Sequence, residues 1–473
     1  MSGRAGLGSW MTPTAVKKAV QGELHRRGRS VGGVVTDSRQ ETAGQLFVAL
    51  TGPNHDGHDH VVAAIERGAR GVLIERSVDA VPGLDRATGA FIVQVDNCRE
   101  ALLRLAAEHR RRCAARVIGI TGSCGKTTVK EWLGGVLATS MPTVRSPASF
   151  NNDIGVPITL FQMDAATRAA VVEIGTNAPG EIGTLSAVAQ PDVAIVTCVA
   201  AAHLRGLGSV EGVAKEKAQL PAALSDAGLC ILNGDDASCR AMVEMTAARV
   251  QLVAIDREAD WFATDLQFHP FGTSFRLQGE RPVTLPRLGT HNVYNALFVL
   301  AAAAEMGVPE EDALQALAEL PIAARRLEPK RFAGITLFDD TYNMNPGSAR
   351  AGLQAVAGVP VPGRRIVVFG EMLELGEQSL ALHEQLGADV HRAEIDELVT
   401  VGTGAQPIAD GAITAGMSAK SVHRLSGIED ARQLLAGMLR EGDQVLCKAS
   451  RGVRLDRLVD DLATSMGAEE GGR

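Results

Sequence analysis

Hydrophobic residues along the chain fall into two patterns, short runs that are apolar throughout and longer stretches with helical spacing. Four runs in the middle of the chain, "RVIGI", "AAVVEIG", "DVAIVTCV" and "GLCILNGDD", are apolar at nearly every position. Strands without a polar face are typical of a parallel sheet that helices cover on both sides. The stretch "TVKEWLGGVLA" instead places Trp132, Leu133, Val136 and Leu137 on one helical stripe. This alternation predicts an α/β fold.

The alternation breaks twice, which predicts three domains. The first hundred residues mix short strands ("QLFVAL", "GVLIE", "FIVQV") with a helix, and a helix with a basic end follows them. A polar-alternating stretch, "DLQFHPFGTSFRLQGERPVTLPRL", predicts antiparallel strands beside the parallel sheet of the second domain. Pro321 ends a helix, and strands and helices then alternate again from "ITLFDD" to "DQVLCKAS". We predict domains at residues 1–98, 99–321 and 322–473, the second with a mostly parallel sheet and the third Rossmann-like.

Composition narrows the range of functions. The chain has 473 residues and a formal net charge of -8, which gives no support to a nucleic-acid role. The first residues lack the apolar core of a signal peptide, and the longest near-apolar run, residues 193–202, is too short to span a bilayer. Seven scattered cysteines without a C-x-x-C pair indicate reduced thiols and a cytoplasmic protein. One of them, Cys124, is interpreted as an ordinary loop residue in preference to a reactive thiol.

The stretch "GITGSCGKTTVK" joins a predicted strand to a predicted helix. Free backbone N–H groups and the positive end of the helix dipole gather at such a junction and attract an anion. Gly122 and Gly125 let the backbone turn around a phosphate, Lys126 can reach the terminal phosphates, and the Thr127 hydroxyl can hold Mg²⁺. The usual phosphate-loop pattern requires a glycine where this chain has Ile120. A plain glycine turn is the alternative, but the Gly-Lys-Thr ending favours a nucleotide site.

Polar residues follow the apolar strands of the second domain, at the edge where parallel strands end. Glu173 ends one strand, where its carboxylate can hold Mg²⁺ beside Thr127; a capping or surface glutamate is the alternative. His203 follows another strand, and a metal ligand and a packed histidine are equally favoured there. Lys215 and Lys217, on the next helix, are predicted by sequence pattern alone to face solvent.

Further polar clusters point to a nucleoside. His291, Asn292 and Asn295 begin a helix, where the two amides either pair with an adenine edge or cap the helix. Three strand ends of the third domain carry polar residues that would face one crevice, and its two aspartates could meet a ribose. These residues are Asp339, Asp340, Gly370, Glu371, Glu374, Lys448, Ser450 and Arg451. The histidines of "TGPNHDGHDHV" have no zinc-site spacing, so we predict a polar loop there.

Together these motifs resemble the Mur ligases of bacterial cell-wall synthesis, from "TDSRQETAGQLFVALTGPNHDGHDHV" to "CKASRG" and therefore over nearly the whole chain. The family's loop has the form T-G-x-x-G-K-[ST], seen here as "TGSCGKT", and Ile120 is at home in that form. The stretches "NNDIGVPITL", "EIGTNAPGEI", "AAAHL", "DDTYNMNPGS" and "GEMLELGEQS" are similar to the members that add D-alanyl-D-alanine to UDP-MurNAc-tripeptide. The D-N-P-R motif of the member that adds the third amino acid is absent.

The resemblance implies an ATP-dependent amide ligase. Its first domain would bind UDP-MurNAc, its central domain ATP and two Mg²⁺ ions, and its third domain would complete the active site. ATP would convert the tripeptide carboxylate to an acyl phosphate, which the amine of D-alanyl-D-alanine would attack to give UDP-MurNAc-pentapeptide, ADP and phosphate. We expect a monomer, and the sequence leaves open whether the third peptide residue is diaminopimelate or lysine. A nucleotide-switched binding protein and a kinase are the alternatives.

The resemblance also implies roles for individual residues. ATP would be contacted by Gly122, Ser123, Gly125, Lys126, Thr127, Thr128, Asn292, Asn295, Arg326 and Asp340. The metal ions would be held by Thr127, Glu173, His203 and Lys217, with the lysine modified to a carbamate. The catalytic residues would be Lys126, Glu173, His203 and Lys217. The substrates would be contacted by Asp37, Ser38, Arg39, Asn151, Asn152, Tyr342 and Asn343. Arg205 and Arg325 depart from the family pattern, which commonly has glutamate at the first position and in some members glycine at the second.

Overall fold

The computed structural model describes residues 10–321 and 324–467. Three sheets follow one another along the chain, and helices pack against each of them, so the predicted three-domain α/β fold is confirmed. The boundaries at residues 98/99 and 321/322 stay a prediction. Within the described residues, no helix is both long enough and apolar enough to cross a membrane.

The first sheet has five short strands: β1 Glu23–Arg26, β2 Val34–Val35, β3 Leu46–Val48, β4 Gly71–Ile74 and β5 Phe91–Gln94. They lie in the order β1-β5-β4-β3-β2, with β1 antiparallel to β5 and the other neighbours parallel. Three helices belong to this part of the chain: α1 Pro13–Val20, α2 Val61–Glu66 and α3 Cys98–Arg112. Asn97 begins α3 by accepting hydrogen bonds from the first free N–H groups of the helix.

The second sheet has nine strands: β6 Arg116–Thr121, β7 Thr143–Arg145, β8 Ala169–Glu173, β9 Val193–Val196, β10 Leu229–Asn233, β11 Arg249–Ile255, β12 Trp261–His269, β13 Gly272–Leu277 and β14 Arg281–Leu285. Their order is β14-β13-β12-β11-β10-β9-β6-β8-β7. Strands β6 to β12 are parallel to one another, and β13 and β14 add the predicted antiparallel edge beside β12.

Nine helices surround this sheet: α4 Lys126–Ala138, α5 Gly155–Leu160, α6 Glu181–Ala189, α7 Leu204–Leu207, α8 Val210–Lys217, α9 Gln219–Ala222, α10 Ala237–Ala241, α11 Thr290–Glu305 and α12 Glu310–Glu319. Successive residues of one strand enter different cores. Val117 packs in the core that holds α3 and α6, and Ile118 packs in the core that holds α4 and α11. Both faces of the strand are therefore buried, which explains why its sequence is apolar throughout.

The third sheet has six strands: β15 Glu328–Phe332, β16 Ile335–Asp340, β17 Arg365–Phe369, β18 Glu397–Val401, β19 Val422–Leu425 and β20 Gln444–Lys448. Their order is β15-β16-β20-β17-β18-β19, with only β15 and β16 antiparallel among these neighbours. Five helices accompany them: α13 Pro346–Ala357, α14 Ser379–Arg392, α15 Gln406–Ala415, α16 Ile428–Met438 and α17 Asp456–Ser465. The carboxyl ends of β16, β17 and β20 meet at one edge of the sheet, as predicted.

Helices α14 and α15 cross at two glycines. A Cβ atom on Gly411 would lie 1.9 Å from the backbone oxygen of Glu384, and one on Gly387 would lie 1.9 Å from the backbone oxygen of Ile408. Such separations are far inside van der Waals contact, so the two helix backbones approach this closely only because neither position has a side chain.

The substitution Gly411→Ala is expected to lower the free energy of unfolding by about 1–3 kcal/mol, because the added methyl group forces the two helices apart. Thermal unfolding of the full chain, followed by circular dichroism, measures the change as a lower transition temperature. The matched control is Gly437→Ala in α16, where a Cβ meets nothing within 4 Å. That control is expected to leave the transition unchanged or raise it, and equal losses in both variants would contradict the close-approach argument.

Candidate active site

The loop between β6 and α4 is shaped by its glycines. Gly122 has a φ of 147°, and a Cβ there would lie 1.9 Å from the Thr197 hydroxyl oxygen, so only glycine fits. Gly125 has a φ of 84° and is the residue that precedes α4. Ile120 lies one residue before the end of β6 and is fully buried between Glu173 and Ile195 of the neighbouring strands. Strand β6 therefore continues through Ile120, the position at which the usual phosphate-loop pattern has its first glycine.

The N-terminus of α4 faces a cleft of about 490 Å³ between the second and third domains. Lys126 begins the helix and folds back so that its Nζ donates to the Gly122 carbonyl oxygen at 2.6 Å. The cleft brings together most of the sequence-predicted nucleotide and metal residues. They are Ser123, Gly125, Lys126, Thr127, Thr128, Glu173, His203, Asn292, Asn295, Arg326 and Asp340. The predicted substrate residues Asn151, Tyr342 and Asn343 line the same cleft.

Glu173 is almost completely buried at the end of β8, with 1% of its surface exposed. Its Oε1 accepts a hydrogen bond from Asn151 Nδ2 at 2.9 Å, while Oε2 has no hydrogen-bond partner among the described residues. A buried carboxylate oxygen without a donor is costly unless another group neutralises it. Thr127 supplies a hydroxyl to the same cleft. These oxygen donors fit a hard divalent cation such as Mg²⁺.

His203 connects the two sides of the cleft. It has a left-handed backbone conformation, with a φ of 54°, directly before α7. Its Nδ1 lies 3.2 Å from Glu374 Oε2 of the third domain. Burial, and then the nearby positive charge of Lys126, lower the pKa of the imidazole. The ring is therefore neutral near pH 7, which is the form that binds metals.

Lys217 is buried at the end of α8, whereas Lys215, two residues earlier, is exposed. The pattern-based prediction that both face solvent is thus wrong for Lys217. Burial, and then the charge of Lys126, lower the pKa of the Lys217 amine to about 7. No salt bridge joins Lys217 to a carboxylate within residues 10–321 and 324–467. In the same residues no three His, Cys, Asp or Glu side chains cluster as metal ligands.

The start of α11 forms the far wall of the cleft. Asn292 Nδ2 donates to the Leu288 carbonyl oxygen at 2.9 Å, and Asn295 Nδ2 donates to Asn292 Oδ1 at 3.1 Å. Both amides are buried, and the residue preceding the helix is Gly289, which has no side chain to cap it. The capping alternative for these asparagines is therefore wrong. Burial, and then Lys448, lower the pKa of His291 to about 4, so its ring is uncharged beside them.

The third domain contributes a charged pair and an aromatic ring. Asp340 lines the cleft and bonds to Lys448 Nζ at 2.7 Å, whereas the adjacent Asp339 is buried on the other face of β16 beside Lys330. Only one of the two predicted aspartates therefore reaches the cleft. Burial raises the pKa of Asp340. Tyr342 lies under the Arg326 guanidinium, 4.2 Å from carbon Cζ to the ring centroid.

Polar contacts fasten the third domain to the loop side of the cleft. The Tyr342 hydroxyl lies 2.6 Å from Ser149 Oγ. Asn345 caps α13 through its Oδ1, and its Nδ2 donates to the Ser123 carbonyl oxygen at 3.4 Å. Neither Ser149 nor Asn345 was predicted from the sequence. Asn345 lies within the stretch "DDTYNMNPGS", and Ser149 lies two residues before "NNDIGVPITL". All three predicted strand ends contribute to one cleft, but the cluster after β17 does so through Glu374, whereas Gly370 and Glu371 do not line it.

A second cleft, of about 600 Å³, meets the first at Lys126 and His203. It runs along the loop before α6 and reaches the start of α3, the helix that follows the first sheet. The predicted substrate residue Asn152 lines this cleft, and Asn151 lines both. Arg99 of α3 pairs with Asp153 at 2.8 Å on its wall, a pair that sequence analysis missed.

The remaining sequence-predicted residues lie apart from both clefts. Asp37 and Arg39 form an ion pair at 2.8 Å in the first domain, and the Arg39 hydrogen bond lowers the Asp37 pKa to about 2. Arg67 Nη1 fixes this segment by donating to the Ser38 carbonyl oxygen at 2.6 Å. His58 is buried with both ring nitrogens engaged, at Asp56 and at a backbone N–H, which agrees with a loop without metal.

The side chains of the two residues that depart from the family pattern lie outside both clefts, although the Arg325 carbonyl oxygen accepts a hydrogen bond from the N–H of the cleft residue Tyr342 at 3.1 Å. Arg205 is exposed at the start of α7, and Arg325 pairs with Asp456 at 2.8 Å and Asp460 at 2.9 Å on α17. Neither residue lines either cleft.

Comparisons with known proteins cover all three sheets. Residues 30–110 match the Mur ligase family catalytic domain, residues 120–303 the Mur ligase middle domain, and residues 325–451 the Mur ligase glutamate ligase domain. The UDP-N-acetylmuramoyl-tripeptide–D-alanyl-D-alanine ligase of Bacillus subtilis is 35% identical, covering 92% of this chain and 93% of its own length. The enzyme of the same name from Escherichia coli is 34% identical, covering 96% and 98%.

Solved structures give the same result. MurF from Acinetobacter baumannii superposes with a TM-score of 0.86 at 30% identity, covering 96% of this chain and 98% of its own. The MurF ligase from Thermotoga maritima in complex with ADP superposes with a TM-score of 0.81 at 26% identity, covering 92% and 97%. The chain therefore belongs to the Mur ligase family.

Proposed function

We propose that the protein is an ATP-dependent ligase that joins D-alanyl-D-alanine to the free carboxylate of UDP-MurNAc-tripeptide. The observation that carries this proposal is that the loop between β6 and α4, with Lys126, shares the first cleft with Glu173 of the second domain and Asp340 of the third. The names of relatives at 34–35% identity over more than nine tenths of the chain support the same reaction. The ADP complex of the T. maritima relative supports an adenine nucleotide as the energy source.

Residues from both domains would hold the nucleotide. Backbone N–H groups at the start of α4 point to the cleft, and Lys126 adds a mobile positive charge for the terminal phosphates. The buried amide of Asn295 would meet the adenine edge, because a side-chain amide both donates and accepts hydrogen bonds. Asp340, held by Lys448, would accept hydrogen bonds from the ribose. Arg326 would approach the phosphates from the third domain.

Magnesium would be held by Thr127, Glu173, His203 and a carbamate on Lys217. When bound, Mg²⁺ neutralises phosphate charge and makes the transferred phosphoryl group a better electrophile. The chain's own residues prepare the site, since Glu173 Oε2 accepts no hydrogen bond, although Lys130 Nζ lies 4.0 Å away, and the neutral ring of His203 is held beside Glu374. Because the pKa of the buried Lys217 amine is lowered to about 7, a large fraction of it is uncharged near neutral pH, and that form can add CO₂ to give an anion with carboxylate-like oxygens.

The two clefts would bring the reacting groups together. A carboxylate is a poor electrophile until one of its oxygens becomes a good leaving group, so it must first receive phosphate. The tripeptide end would lie in the second cleft, beside Asn151 and Asn152. This cleft meets the first one at Lys126 and His203. Tyr342 and the neighbouring Asn343 would border the incoming dipeptide amine. The third domain, fastened over the loop, excludes the water that would hydrolyse an acyl phosphate.

The first domain would bind the UDP end of the substrate through Asp37, Ser38 and Arg39. Residues 1–98, 99–321 and 322–473 would then correspond to the sugar-nucleotide, ATP and ligase domains. All of these residues come from one polypeptide, so a monomer would be a complete enzyme. Seven free cysteines are consistent with the bacterial cytoplasm as its compartment.

Phosphate release measured with purified protein is expected to require ATP, UDP-MurNAc-tripeptide and D-alanyl-D-alanine together. The variant Lys126→Ala should lower kcat by at least about 100-fold, because it removes a charge aimed at the transferred phosphoryl group. Lys215→Ala, which removes an exposed lysine, is the control and should keep the activity. Phosphate release with neither acceptor present would favour a nucleotide-driven switch, and a stable phosphorylated product would favour a kinase.

The variant Glu173→Gln is expected to raise the Mg²⁺ concentration for half-maximal activity by at least about tenfold, since an amide oxygen replaces an anionic ligand. A Mg²⁺ titration of the steady-state rate measures this change. Glu211→Gln, at a carboxylate exposed on α8, serves as the control. An unchanged Mg²⁺ dependence in Glu173→Gln would remove this carboxylate from the proposed metal site.

The carbamate on Lys217 can be detected directly. Protein equilibrated with ¹³C-labelled bicarbonate and Mg²⁺ is expected to show one carbamate resonance by ¹³C NMR, and Lys215→Ala should keep it. In Lys217→Met, which retains the packing volume, the resonance should disappear and kcat should fall by at least about 100-fold, because an anionic ligand is lost. A variant with full activity, or a resonance that persists in it, would contradict the assignment.

A further inference from the structure

Two cysteines from different elements meet in the wall of the nucleotide cleft. Cys124 belongs to the loop before α4, and Cys198 follows β9. The Ser123 N–H donates to the Cys198 carbonyl oxygen at 2.9 Å, and Cys198 Sγ lies 3.8 Å from the Cys124 carbonyl oxygen. The two cysteines are therefore neighbours in the cleft wall although they are 74 residues apart in the chain. Both residues are half-buried and line the cleft, so a small solute can reach them.

The surroundings favour a thiolate on one of the two sulfurs. The hydrogen bond from Cys198, followed by the positive charges of Lys126 and Lys448, lowers the pKa of Cys124 to about 6. The same hydrogen bond and burial raise the pKa of Cys198. Within the pair, Cys124 is thus the sulfur that loses its proton more readily and Cys198 the one that keeps it, an asymmetry found in oxidisable dithiols.

The other five cysteines lie in different environments. Burial raises the pKa of each of them, and four are fully enclosed in hydrophobic cores. They are Cys98, Cys113, Cys230, Cys239 and Cys447. Only Cys113 is half-exposed, and it lines neither cleft. Reactivity toward an oxidant should therefore concentrate at the cleft pair.

We propose that Cys124 and Cys198 form a modification site, a dithiol that a hydroperoxide oxidises to a disulfide. In the first step the Cys124 thiolate attacks the terminal peroxide oxygen, the O–O bond breaks, and the products are a sulfenic acid and an alkoxide that takes a proton to become an alcohol. In the second step the Cys198 sulfur attacks the sulfenic sulfur, and water leaves. Two thiols and one hydroperoxide thus give one disulfide, one alcohol and one water.

The disulfide would alter the loop that surrounds it. A disulfide holds its two sulfurs about 2.05 Å apart, which draws the loop toward the end of β9. The contact of Cys124 Sγ with Asn345 Oδ1, 3.3 Å in the reduced protein, would be lost together with the loop geometry that presents N–H groups to a phosphate. Nucleotide binding should therefore weaken on oxidation, independently of which reaction the nucleotide drives.

The test treats the full-length protein with hydrogen peroxide, alkylates the remaining free thiols and maps them by mass spectrometry. The expected product is a peptide pair linked through Cys124 and Cys198, formed more slowly when ADP is bound. ADP binding by calorimetry should weaken by at least about tenfold on oxidation and recover after dithiothreitol. Because mass and ADP binding are measured without ligase turnover, the result stands apart from the proposed reaction.

Matched variants decide the assignment. Cys198→Ser should abolish the linked peptide pair and the dithiothreitol-reversible loss of ADP binding, whereas Cys113→Ser should behave like the unaltered protein. Each variant is compared with its own untreated sample. A disulfide through any other cysteine, oxidation of Cys124 without linkage to Cys198, unchanged ADP affinity in the linked protein, or persistent sensitivity in Cys198→Ser would each overturn the proposal.

Discussion

The positive pole at the start of α4 is the feature on which the rest of the cleft depends. Four lysines lie in or beneath this region, and three of them, Lys130, Lys217 and Lys448, are nearly inaccessible to solvent. Taking a cation out of water is unfavourable unless a negative group compensates for it. Glu131 lies 2.7 Å from Lys130 Nζ, and Asp340 on β16 lies 2.7 Å from Lys448 Nζ. Among the described residues Lys126 has no carboxylate within salt-bridge distance, so its charge stays available to an anion that enters the cleft.

Local sequence patterns were sufficient for the strands and the loop because both are determined by neighbouring residues. Apolar runs identify strands with two covered faces, and glycines mark positions where a side chain has no room. The position of Ile120 shows the limit of a fixed motif. Its strand simply runs on to Thr121, so the turn begins later than in the commoner pattern.

Which face of an element is covered could not be predicted from its own residues. Lys217 and Lys215 have the same local sequence context on α8, yet only the first is enclosed, because other parts of the chain, among them α6 and α10, pack against this helix. Asp339 and Asp340 must point to opposite faces of β16, but the strand alone does not say which face borders the cleft. Likewise Arg99 and Ser149 acquire their contacts only when separate segments fold together. Their single-residue signals are too weak to distinguish them from ordinary surface residues.

The contacts between Tyr342 and Ser149, and between Asn345 and Ser123, have a further consequence. They are few, neutral and polar, and each could exchange its partner for water at little cost in free energy. A broad apolar seam at the same place would hold the molecule shut after each catalytic cycle. These contacts therefore add little to the free-energy cost of opening this side of the cleft, whereas Leu288, at the start of the far wall, packs into the apolar core of the third domain and holds the other side together.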